Sequence, residues 1–226
     1  VGHEAIMAIP VKYRKFKETA IASYDFIDIA SGIGFKKFYA VGTNSSSGKQ
    51  YSLSSEVIAS DVDNYQGSVS DLDIESTDVA AKGEWNFDLP IQRSLTLAAC
   101  DVLINTTLGL SIGGGGASAL ARLKYRLYRV VGGTEYLIGS QVTTQNESSS
   151  SSTAYRLSTR YTIPRTDLRV GDTLRLEIQI WGYRSAGTVS TAYIMFDGAN
   201  RSTVSGSPFT NLAIDLHMTL GFRIDL

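Results

Sequence analysis

One cysteine, Cys100, and two histidines, His3 and His217, are all that 226 residues offer of the side chains most used for metal ligation and nucleophilic catalysis. A lone cysteine excludes an intramolecular disulfide and a thiolate-cluster metal site. Two histidines leave no material for a zinc centre, and no G-x-S-x-G elbow presents a serine nucleophile to either of them. Charge of one sign is also missing: 21 Lys and Arg stand against 22 Asp and Glu, a formal net charge of -1. No long-range field steers such a chain onto a polyanion, so nucleic acid is not expected as a partner. No apolar run approaches the roughly 20 residues that cross a bilayer. Val1-Gly2-His3-Glu4 has no basic segment feeding an apolar stretch, so a soluble chain in mature or trimmed form, without a membrane partner, is expected. No metal and no cofactor is expected either. At 43% hydrophobic and 19% charged, the composition is sufficient for a packed core.

What is present is period-two alternation. Leu212, Ile214, Leu216, Met218, Leu220, Phe222, Ile224 and Leu226 alternate with Ala213, Asp215, His217, Thr219, Gly221, Arg223 and Asp225, the pattern of a strand with one buried face. Leu174, Leu176, Ile178 and Ile180 repeat it after the Asp167–Asp172 turn. Leu123, Tyr125 and Leu127 lead through Gly132-Gly133 to Glu135-Tyr136-Leu137-Ile138, the clearest hairpin in the chain. Tyr155 to Ile163, ended by Pro164, and Ala192 to Phe196, ended by Asp197-Gly198, are further runs. Gly113–Gly116, Ser148–Ser152 and Ser202–Ser207 read as loops by composition, and no helical spacing is sustained after residue 80.

These runs predict an all-β fold: an antiparallel β-sandwich over residues 80–226, with the jelly roll as the preferred topology. Residues 1–79 are expected to form an N-terminal arm plus accessory strands that join or extend the sandwich. In the arm, Ile6, Met7, Ile9 and Val11 make an apolar strip beside the basic cluster Lys12, Arg14, Lys15 and Lys17. That strip is too short to build its own core, and we expect it to bury against a neighbouring subunit.

Few constellations carry chemistry. Asp71-Leu72-Asp73-Ile74-Glu75 resembles the E-x-D-x-E signature of jelly-roll glucanases of the laminarinase type; by that resemblance Asp71 would be the nucleophile, Asp73 the helper and Glu75 the acid/base. A regular strand places the first and last acids about 13 Å apart, whereas a retaining pair needs about 5 to 5.5 Å, so we expect no hydrolase activity. Asp61 and Asp63 begin like a calcium loop but lack its glycine and closing glutamate. Gly113–Gly116 lacks the Gly-Lys-Ser/Thr ending of a phosphate loop. Trp181, Tyr183 and Tyr193 could form an aromatic platform for a glycan, or serve as strand formers and contact residues. Sequons at Asn44, Asn105, Asn146 and Asn200 would be glycan acceptors in a secreted eukaryotic chain.

Tyr24-Asp25-Phe26-Ile27-Asp28-Ile29-Ala30-Ser31-Gly32-Ile33-Gly34-Phe35, Phe87-Asp88-Leu89-Pro90, and Val170-Gly171-Asp172-Thr173-Leu174-Arg175-Leu176-Glu177, with a final strand, resemble jelly-roll virion proteins of tailed bacteriophages. The resemblance is to capsid decoration, fibre or tail-associated components, and it transfers no functional residue. It implies a non-enzymatic structural component of a viral particle, located in the virion. Its implied partners are other virion proteins and copies of itself, with a homotrimer the favoured oligomer. A carbohydrate-binding module using exposed Trp and Tyr is the alternative, and a laminarinase-like glycoside hydrolase the third reading.

Overall fold

The structure is a computed structural model that describes residues 33–46, 48–60, 66–69, 72, 81–113, 118–184, 190–197, 209 and 216–223. Every regular element among them is a strand. In chain order these are β1 (Ile33–Ser45), β2 (Gly48–Ser54), β3 (Gln66–Val69), β4 (Ala81–Pro90), β5 (Leu95–Leu97), β6 (Cys100–Ile112) and β7 (Ala119–Val131). There follow β8 (Thr134–Leu137), β9 (Val142–Thr143), β10 (Glu147–Ser149) and β11 (Thr153–Ile163). The last are β12 (Thr166–Leu168), β13 (Thr173–Arg184), β14 (Ser190–Met195) and β15 (His217–Arg223).

The strands form one curled sheet with two principal layers. In one layer β13 pairs antiparallel with β7 on one side and β4 on the other, and β8, β9 and β10 follow the far edge of β7. In the second layer the order is β2, β1, β15, β6 and β11. β14 pairs with the C-terminal half of β6 and carries β3. A single parallel bridge, Ser52 with Asp88, joins the layers between β2 and β4. Short β5 and β12 pair with each other and meet β15 at Leu97.

Alternation explains why the layers close. Leu174, Leu176, Ile178 and Ile180 of β13 point inward beside Leu123, Tyr125 and Leu127 of β7, and all are at most 1% exposed. They face Val102, Ile104, Leu108 and Leu110 of β6 and Met218, Leu220 and Phe222 of β15 in one continuous cluster. Tyr51, Phe87 and Phe196 pack edge to face with centroids 5.3–5.5 Å apart, tying β2 and β4 to the end of β14. The side opposite the β2–β4 bridge is closed by a side chain. The buried Tyr161 hydroxyl of β11 accepts the Leu127 N–H at 3.2 Å and donates to the Ile138 carbonyl at 2.8 Å.

The all-β sandwich expected from the sequence is the fold found. Gly132 and Gly133, with φ of 55° and 85°, make the two-residue turn of the β7–β8 hairpin, where a positive φ at both positions follows the strand twist. The accessory strands expected in residues 1–79 include β1 and β2. They sit well inside the sheet: β1 lies between β2 and β15 and sends Phe38 and Ala40 into the core. The serine run is a loop only over Ser150–Ser152; its first two residues lie in a strand. Glu147–Ser149 pairs with Ala119–Ala121, because an edge strand needs ladder hydrogen bonds and can keep both side-chain faces polar. Leu212, Ile214, Ile224 and Leu226 lie outside the described residues, as do the arm residues Ile6, Met7, Ile9, Val11, Lys12 and Arg14.

Candidate functional site

The residues of β13 that alternate with its core side chains form the spine of a polar plate over β4, β13 and β7. Arg175 clasps Asp88 with two hydrogen bonds, Nε to Oδ1 at 2.7 Å and Nη2 to Oδ2 at 2.8 Å, and reaches Glu135 Oε1 at 2.7 Å through Nη1. One row along, Arg126 Nη1 meets Glu177 Oε1 at 2.9 Å while its Nε donates to Gln141 at 2.8 Å. In the next row Gln179 donates to Glu84 Oε2 at 3.0 Å and accepts the Trp181 indole N–H at 2.9 Å. Its hydrogen bonds to Asp88, foremost, hold the Arg175 guanidinium protonated well above its ordinary range. Burial, then the charge of Glu84, pushes the Glu177 carboxyl above its ordinary value. Arg175 and Arg126 thus cross-link β13 to β4, β8 and β7, which stiffens the layer.

Trp181 and Tyr183 lie on this plate, opposite Arg122 and Leu120 of β7. The Trp181 ring is already covered: Lys124 Nζ sits 2.9 Å from its centroid, a close cation–π contact. Tyr193 is elsewhere. It belongs to β14 in the second layer and packs edge to face on Phe209 at 5.5 Å, in a small cluster with Met195 and Ala154. The fold therefore brings Trp181 and Tyr183 together and leaves Tyr193 apart from them.

Asp61, Asp63, Asp71, Asp73 and Glu75 fall outside the described residues; only Leu72 of that motif is placed, fully buried with its N–H on the Ser190 carbonyl at 3.0 Å. Among the described residues no group of three or more His, Cys, Asp and Glu could hold a metal ion. His217 lies on β15 with Nε2 3.0 Å from Asn105 Nδ2 and its ring 6.0 Å from that of Tyr39. Asn105 is thereby engaged in a sheet whose next threonines, Thr106 and Thr107, are buried, while Asn44 and Asn146 are exposed and Asn200 lies outside the described residues. Burial raises the Cys100 thiol above its usual value.

The feature that the sequence reading missed is a rim at one end of the sandwich, where Thr173, Val130 and Pro90 share a row. Of the eight exposed large hydrophobic side chains among the described residues, six belong to segments at this end: Val57, Ile58, Val131, Tyr136, Leu137 and Val170. Val170 is 66% exposed at the tip of a turn in which Gly171 has a φ of 90°. The turn is clamped, because Asp172 accepts the Arg169 N–H at 2.7 Å and the Arg129 Nε–H at 2.8 Å. The Arg169 N–H, foremost, with Arg129, holds the Asp172 carboxyl below the usual carboxylate range. Two open hollows flank β12 here. One, of about 380 Å³, is lined by Val131, Tyr136, Ile138 and Pro164; the other, of about 410 Å³, by Ile58, Pro90, Ile91 and Leu168. The available signal was the placement of apolar residues against turn glycines, as in Val131-Gly132-Gly133 and Val170-Gly171.

No protein-family model matches the chain, and no curated protein matches it. Among solved structures, a CocE/NonD family hydrolase from Staphylococcus aureus is similar at 9% identity and a TM-score of 0.47, over 84% of this chain and 36% of that one. The VP2 protein of infectious bursal disease virus, in derived T=1 particles, is similar at 13% identity and a TM-score of 0.30, over 86% of this chain and 36% of that one. Infectious bursal disease virus of the Gx strain gives 10% identity and a TM-score of 0.28, over 71% and 36%. The chain thus spans little more than a third of the length of those chains. At such scores the likenesses carry no argument about activity or assembly.

Proposed function

We propose that this chain is a non-enzymatic structural component of a viral particle, working through self-association. The observation that carries the reading is the division of the surface. Arg175 and Arg126 tie carboxylates across neighbouring strands into a stiff plate, while the rim turns apolar side chains outward. A stiff body with an exposed apolar end suits a module that assembles, since little ordering remains to be done on contact. The virion setting rests on the resemblance of the Phe87–Pro90 and Val170–Glu177 phrases to jelly-roll virion proteins of tailed bacteriophages.

Native mass spectrometry of the full chain, alone and with a panel of polysaccharides, tests the proposal alongside a reducing-sugar assay on β-glucans. A stable multimer with no shift on sugar addition and no sugar release is the expected result. A chain that stays monomeric and binds a polysaccharide saturably, with binding lost in Trp181→Ala, would replace this reading with a carbohydrate-binding module. Release of reducing sugar, abolished by Glu75→Gln, would replace it with a hydrolase.

A further inference from the structure

We infer that the rim formed by the 54–58, 131–138 and 164–171 segments is an interface with the same rim of a second copy of this chain, related by a two-fold axis. The inference rests on the self-association reading and names the surface and the partner. Shape is the first argument. The rim carries both projections and recesses: Val57 and Val170 stand 64% and 66% exposed, the hollow of about 380 Å³ is lined mostly by apolar side chains, and that of about 410 Å³ mixes apolar side chains with Ser54, Ser55, Gln92 and Arg93. A surface that holds both halves of an apolar contact can mate with itself, as an isologous interface requires.

Charge is the second argument and selects the partner. Three arginines, Arg93, Arg165 and Arg169, and three carboxylates, Glu56, Asp167 and Glu135, the last already paired with Arg175, are exposed in these segments and the adjoining 91–94 turn, with the signs interspersed. A basic or acidic partner would meet like charge at half of these positions. A second copy turned through the two-fold can set acids against arginines, which gives register and excludes wrong partners. The basic strip of the arm, Lys12 to Lys17, finds no such match on a surface of balanced sign.

Rigidity and area are the third. Val170 projects from a turn clamped by Asp172, and Val131 and Tyr136 flank the Gly132-Gly133 turn, so the projections are held in place before contact. The exposed parts of the six apolar side chains amount to on the order of 500 Å², a large share of the roughly 800 Å² that each partner contributes to a standard interface.

Sedimentation velocity of the full chain over a wide concentration range tests the inference, using Val170→Glu, Leu137→Glu and, as a control on the plate, Trp181→Ala. The parent chain should sediment at twice the monomer mass. Each rim variant should raise the dissociation constant at least tenfold while leaving the melting midpoint of the dilute monomer unchanged, and Trp181→Ala should leave the dissociation constant as it is. If the rim variants keep the parent's mass while Ile6→Glu with Ile9→Glu dissociates it, association runs through the arm and the inference fails while the self-association reading stands. A trimer that the rim variants dissociate would mean that the rim meets a different surface, which overturns the two-fold pairing. A parent chain that is monomeric throughout removes the self-association reading itself.

Discussion

The plate over β4, β13 and β7 and the rim at its end are built from the same strands, yet they handle exposed surface in opposite ways. On the plate the Arg126 and Arg175 guanidiniums find carboxylates on neighbouring strands, and the Trp181 indole N–H is matched by Gln179. At the rim the Asp172 carboxylate closes the Arg169–Asp172 turn, and large apolar side chains face solvent among exposed arginines and carboxylates. Satisfied polar groups bind a partner weakly, because any new contact must first displace an existing one. Exposed apolar groups gain on burial at about 25 cal/mol per Å² before ordering is subtracted. The plate supplies stiffness, and the rim is the surface we propose for contact.

Substitutions in the body should have the largest effects on stability. A Cβ at Gly182 of β13 would collide with the Leu120 carbonyl and the Ala121 side chain, so Gly182→Ala should destabilise by about 3 kcal/mol in denaturant titration. Tyr161→Phe should come next, at about 2 kcal/mol, because it strips a partner from both the Leu127 N–H and the Ile138 carbonyl.

Asp172→Asn should cost about 1 kcal/mol at neutral pH and change the acid limb of stability. The folded carboxyl is held below its unfolded value of 3.8, so its contribution is present above that value and lost as pH falls through the folded one; the variant should lose that component. Glu177→Gln should shift stability by less than about 0.5 kcal/mol, with the opposite sign of pH dependence. The folded Glu177 carboxyl lies above its unfolded value of 4.5, so its effect on stability becomes less favourable as pH rises from that value through the folded one. Replacing it should flatten that segment of the pH–stability curve. Val170→Glu should leave the melting midpoint of the monomer within about 1 °C, since the side chain is 66% exposed. Any larger drop would mean that Val170 supports its own chain.

Much of the fold was legible because burial writes itself as alternation. The Leu174–Ile180 and Leu216–Phe222 runs meet in one core, and Gly132-Gly133 marks its hairpin. Pairing partners were not legible. Nothing local announces that β1 joins β15 or that β13 sits between β7 and β4, because those ladders are set by contacts distant in sequence. Of the aromatic group, parity puts Trp181 and Tyr183 on one face, but the change of layer between β13 and β14 removes Tyr193 from it. The rim escaped because its apolar residues come from separate turns, each short enough to read as an ordinary strand end.

Hydrogen–deuterium exchange of the full chain, compared between a dilute and a concentrated solution, tests most directly whether the rim is the surface through which copies meet. The account predicts slowed exchange on concentration in the 54–58, 131–138 and 164–171 segments, with no change along the β13 plate. Slowed exchange over β4, β13 and β7 with the rim unaffected, or a rise in mass with no slowing in any of the rim segments, would contradict it.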